Sequence, residues 1–124
     1  MTAQLIRPNR LKINETEVEF PQRVRKFVEL NGLTIVLLKV GDFEEGDELV
    51  GRNIVAYDSN GELAWRIERH GFSVRNRKGD FVPQAYFGLW IDEDGETLRA
   101  GIPVADFKVD PSNGMLLEME QSRW

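Results

Sequence analysis

His70 is the only imidazole in the chain, so general acid–base catalysis, a nucleophile relay or a histidine-ligated metal would each have to centre on it. It lies in Glu68-Arg69-His70-Gly71, beside an arginine that disfavours the imidazolium, and reads as a surface loop residue. No Gly-x-Ser-x-Gly elbow offers a serine nucleophile, and no glycine-rich phosphate loop precedes a helix. The absence of cysteine excludes both a disulfide framework and a thiolate metal site. Asp42, Glu44, Glu45, Asp47 and Glu48 crowd carboxylates into one short segment, but their spacing departs from the calcium-loop pattern. Asp92-Glu93-Asp94-Gly95 stops after too few carboxylates and fits a hairpin turn. No catalytic residue, metal ligand set or cofactor is therefore assigned.

Binding chemistry has two sequence candidates. Arg66, Arg69, Arg75, Arg77 and Lys78 form a basic block interleaved with Trp65 and Phe72, a composition that can track phosphates and stack bases. The same block can instead pair with the acidic segment at 42–48 or with an acidic partner, and His70 sits within it. In Ala85-Tyr86-Phe87-Gly88-Leu89-Trp90-Ile91, strand alternation sets Phe87, Leu89 and Ile91 on one face and Tyr86, Gly88 and Trp90 on the other. Tyr86 and Trp90 flanking Gly88 would form an aromatic shelf with a notch, suited to a small ligand or carbohydrate if exposed. A second core layer is the alternative.

The elements that must position these residues are hairpins. Leu30-Asn31-Gly32-Leu33 supplies two residues that tolerate positive φ, as a type I′ turn requires, with apolar strands on both sides. Val24, Val28 and Leu30 share a face before it. Leu33–Val40 after it is nearly continuous apolar, as in a strand covered on both sides. Asp58-Ser59-Asn60-Gly61, Asp92-Glu93-Asp94-Gly95 and Asp110-Pro111-Ser112-Asn113-Gly114 repeat one plan: a carboxylate opens the turn and a glycine closes it. Leu63, Trp65 and Ile67 alternate after the first of them as one buried face. No long window keeps helical spacing. The expectation is an all-β chain, one domain over 1–124, in which nine or ten short strands form an antiparallel meander. Such a meander makes a sandwich or a strongly curled sheet.

The stretch Asn53–Ile67 resembles the blade repeat of pyrroloquinoline-quinone-dehydrogenase-type β-propellers, in which a strand ending in Asp leads through a glycine turn into Leu-x-Trp. A weaker copy runs from Ala105 to Met119, with Leu117 in place of the tryptophan. The resemblance implies β-hairpins. It carries over no quinone or metal ligand, and the chain has material for about two blades where a closed ring needs about four. The N-terminal hairpin followed by the turn and Trp-x-Ile is also similar to that of short bacterial proteins of unassigned function.

The formal net charge of −5 is unevenly spread: residues 1–41 and 63–79 are net positive, and 42–62 and 80–124 net negative. An acidic total argues against bulk nucleic-acid binding. The N-terminal residues carry no signal-peptide core and no apolar run approaches a membrane span, so a cytoplasmic address without membrane insertion is the expectation. What remains is a non-catalytic interaction module of accessory or immunity type. Its partner would be another protein, or a second copy through a sheet edge. The alternatives are a small-ligand or carbohydrate binder and, behind it, a carboxylate-based hydrolase.

Overall fold

The computed structural model describes residues 3–39, 51–75 and 78–121, and among them thirteen strands and no helix. They fall into four antiparallel sheets, none closed into a barrel. The N-terminal sheet comprises β1 (Ala3–Arg7), β2 (Arg10–Ile13) and β3 (Thr16–Glu19), and the middle sheet β4 (Val24–Leu30), β5 (Leu33–Leu38), β6 (Ile54–Tyr57) and β7 (Leu63–Arg66). A hairpin of β8 (Ser73–Arg75) and β9 (Phe81–Pro83) leads to the C-terminal sheet of β10 (Gly88–Ile91), β11 (Leu98–Ile102), β12 (Ala105–Val109) and β13 (Leu116–Gln121). Every sheet is a meander in chain order. The all-β expectation holds, with more strands than the alternation suggests. The N-terminal run and the basic stretch after β7 contribute short strands whose outward side chains hide the period of two.

The middle sheet is the filling of a three-layer stack. On one face Val36, Leu38 and Val55 pack with Leu11, Ile13, Val18 and Phe20 of the N-terminal layer. On the other, Ile35, Leu37, Ile54, Ala56, Trp65 and Ile67 pack with Leu89, Leu98, Ala100, Ile102, Phe107 and Val109 of the C-terminal sheet. That double burial explains the unbroken apolar β5. Asn31 and Gly32 have φ of 52° and 77°, the left-handed pair required at its first turn.

Two bulges correct the simple alternation. Val24 pairs with Leu38 but Lys26 with Leu37, so Arg25 is extra and Val24 turns to the N-terminal layer, away from Val28 and Leu30. Ala56 pairs with Trp65 and Tyr57 with Leu63, so Ala64 is extra and Leu63 lies exposed, while Trp65 and Ile67 are buried. The second copy of the turn motif has the same construction. Val109 pairs with Leu116 and Lys108 with Glu118, leaving Leu117 extra. Pro111 lengthens that turn by one residue, so Glu118, not Leu117, occupies the position of Trp65.

Polar ties fix the sheets to one another. Fully buried Asn53 donates from Nδ2 to the carbonyls of Leu38 (2.9 Å) and Tyr86 (2.7 Å), and its Oδ1 accepts the Tyr86 N–H (2.9 Å). The Tyr86 hydroxyl donates to the Glu68 carbonyl, the Glu68 N–H donates to the Gly114 carbonyl, and the Glu68 Oε1 accepts the Leu116 N–H. Trp65 Nε1–H donates to the Pro111 carbonyl at 2.9 Å, while a Cβ at Gly114 (φ 77°) would collide with the Trp65 ring. The β12–β13 turn is thus seated on the tryptophan of β7, and glycine is the residue that fits there.

Candidate functional site

His70 lies half-buried in the loop after β7, and both of its ring nitrogens are engaged. The Phe72 N–H points at Nδ1 (2.9 Å), which fixes the neutral tautomer with the proton on Nε2, and that proton is donated to the Gln84 carbonyl at 2.6 Å. The ring stacks on Phe107 (centroids 5.6 Å apart, 12° between planes), meets Tyr86 edge-on and lies against Phe72. Burial holds its pKa below the usual 6.5, outweighing the bond to Gln84. Both nitrogens are used to clamp the start of β8 to the chain before β10, and neither is turned to a substrate.

The Tyr86–Trp90 shelf is not formed. Tyr86 is 0% exposed and lies in the core between the middle and C-terminal sheets, where burial and the neighbouring Glu68 raise its pKa. It precedes the first residue of β10, so strand alternation from Trp90 does not extend to it. Trp90 is partly exposed and lies on the outer face of the C-terminal sheet, over the cross-strand pair Gly88 and Gly101. A Cβ at either glycine would come within 3.0 or 3.2 Å of the indole Cζ3, so the ring rests on bare backbone. Asp106 abuts the same spot, its Oδ1 3.1 Å from the Cβ position of Gly101. Beside Trp90, Arg99 Nε bonds Asp92 Oδ2 at 2.7 Å.

The basic block is divided among elements. Arg66 pairs with Val55 across the strands and projects toward the N-terminal layer, near Tyr57. Arg69 is exposed after β7. Arg75 sits on β8 with its guanidinium 4.9 Å from the Phe81 ring centroid, a cation–π contact that shields one side of an otherwise exposed phenyl. Arg77 and the acidic segment 42–48 lie outside the described residues. Among the described residues no group of three or more His, Asp or Glu converges as a metal site. None of them forms a helix long and apolar enough to cross a membrane.

The surface that the sequence candidates miss is β13. Here Met115, Leu117 and Met119 are 51%, 52% and 55% exposed, and Leu116 alone packs against the core. Met119 stands opposite buried Phe107, on the inner face of the sheet, while Glu118 and Glu120 stand opposite Lys108 and Asp106 on the outer face. The far edge of β13 is covered only at its start, where Glu68 takes the Leu116 N–H; beyond it no other described strand pairs there. Antiparallel pairing leaves every second residue aiming its N–H and C=O away from the partner strand, so this edge carries unpaired backbone groups. The signal was present in the sequence: a meander's last strand is an edge, and Leu117-Glu118-Met119-Glu120 alternates apolar and acidic residues.

These features define a class: a layered antiparallel β protein whose sheets are tied by buried polar bridges and in which, among the described residues, one edge of β13 is unpaired. The chain belongs to the family DUF7957, described as a domain of unknown function, whose match spans residues 1–121. No curated protein and no solved structure matches the chain.

Proposed function

We propose that the chain is a non-catalytic protein-interaction module that receives an extended segment of another protein along the free edge of β13. The observation that carries this reading is the joint exposure of strand edge and side chains: Leu117 and Met119 on β13, with Met115 just before it, stand in solvent where the outer edge is unpaired from Leu117 onward among the described residues. An exposed edge is normally blunted by a bulge, a proline or a covering element, and it otherwise recruits a strand. Leu117 is bulged, but Glu118–Gln121 continue in regular register with β12. The edge strand β1 is less suited, because the pairing shifts between Leu5 and Arg7 in the middle of the strand.

A photo-crosslinking amino acid placed at 119 should capture one discrete partner in the native cell. The same group at exposed Leu5 of β1 should not. Capture from both positions alike, or from neither, would remove the reading.

A further inference from the structure

We infer that the segment accepted at β13 alternates apolar residues with lysine or arginine, and that the same charges stop this edge from pairing with a second copy of itself. The inference rests on the strand-addition reading above and adds the chemistry of the partner.

Side chains that stand opposite each other across neighbouring strands point to the same face of a sheet. An incoming strand therefore sets one set of side chains beside Met119 on the inner face and the alternate set beside Glu118 and Glu120 on the outer face. The inner positions call for apolar residues, which would cover Met119 and extend the layer begun by Phe107. The outer positions call for cations. Glu118 has one cation, Lys108, directly across on β12, but Glu120 faces Asp106, so the outer end of the strand is a carboxylate pair. Arg99, two strands away, is bonded to Asp92 and adds only a longer-range attraction to Glu118 and Glu120. A lysine or arginine opposite Glu120 would pair with that carboxylate and add a longer-range attraction to Asp106 behind it.

Self-pairing meets the opposite condition. In a two-fold antiparallel pair a residue stands opposite itself or opposite another residue of its own face. Centred on Glu118, Met119 or Glu120, the arrangement sets Glu118 against Glu118, Glu118 against Glu120, or Glu120 against Glu120. Like charges directly opposite destabilise the pair. The glutamates thus keep an exposed apolar edge from joining copies of the chain while leaving it open to a basic strand.

The test uses three seven-residue peptides alternating valine with lysine, serine or glutamate, with the amide NMR signals of Leu117–Gln121 as the readout. The lysine peptide should bind at β13 at least about tenfold more tightly than the glutamate peptide, with serine between. The double substitution Glu118→Lys and Glu120→Lys should invert the order. In sedimentation, the double substitution Glu118→Ser and Glu120→Ser should self-associate more than the native chain. If the three peptides perturb β13 equally, or the glutamate peptide binds best, the charge inference is overturned and the open edge stands. If no peptide perturbs β13 and the serine variant sediments as the native chain does, the edge is not a strand acceptor and both readings fall.

Discussion

The middle and C-terminal sheets are built to one plan and end in opposite environments. Across the middle sheet one row reads Val28, Ile35, Ala56, Trp65; across the C-terminal sheet the corresponding row reads Trp90, Arg99, Lys108, Glu118. The first row faces the next sheet and is apolar, and the second faces solvent and is charged apart from its tryptophan. Both sheets turn the other face to the layer that precedes them in the chain. The stack therefore grows in one direction, and the C-terminal sheet closes it by exchanging an apolar row for a polar one, as terminal units of stacked folds do. What the polar row does not close is the side of the sheet: β7 has the β12–β13 turn seated on its tryptophan, whereas among the described residues β13 has nothing comparable beyond Leu116. A face can be finished by changing side chains, but an edge is finished only by another strand or a covering segment.

The tie between the two sheets gives the largest expected effect. Asn53→Ala would strand the Leu38 carbonyl and the Tyr86 N–H and carbonyl in a fully buried place. Each unpaired group costs on the order of 1–3 kcal/mol, and a total loss of about 4 kcal/mol is expected in urea unfolding. If the loss stays below about 1 kcal/mol, Asn53 is not what joins the layers. Next come the corresponding positions of the two rows. Ile35→Ala should cost about 3 kcal/mol through the cavity it leaves. Arg99→Ala, losing a partly exposed ion pair to Asp92, should cost less than about 1 kcal/mol. Equal losses at the two positions would mean that the outer row is also a packed interface, and the stack would not end there.

How much of this was legible beforehand depends on which interactions are local. The Asn31-Gly32 turn, the Asp58 and Asp110 turns and the doubly buried β5 are written in neighbouring residues, and they stand where the spacing puts them. In the Asp92–Gly95 turn it is Asp94 that accepts the backbone N–H groups, because Asp92 is drawn to Arg99, a partner outside the turn. The bulges at Arg25, Ala64 and Leu117 reverse the facing of Val24 and Leu63 and cannot be read from alternation, since alternation assumes that no residue is extra. Tyr86 was misplaced for a similar reason: its side chain is set by Asn53, a contact that spans 33 positions, and not by the strand that follows it. His70 does stand in a loop, but its clamping is not legible from its neighbours, because its stacking partner Phe107 lies on β12, far along the chain.

His70 also supplies the smallest and most selective test of the two-faced C-terminal sheet, because it lies on the inner side against Phe107 while the carboxylates lie outside. Its folded pKa is below 6.5, since protonation would place a charge among three aromatic rings and break the Phe72 N–H bond to Nδ1. The unfolded chain takes up this proton near pH 6.5 and the folded chain resists it. The neutral ring therefore stabilises the fold fully above pH 6.5, and its contribution is lost as pH falls from there through the lowered folded value. The turn carboxylates act in a separate and more acidic window. Asp94, held near a pKa of about 2 first by the Thr97 hydroxyl and then by backbone N–H groups, and Asp110, lowered by Ser112, lose their contribution only as pH falls below about 3.8. Urea midpoints measured from pH 7.5 to 5 should fall for the native chain and stay level for His70→Phe, whose ring keeps the stacking on Phe107 without the titration. A slope that survives His70→Phe would place the titrating group elsewhere and leave the inner face without its proton-sensitive clamp.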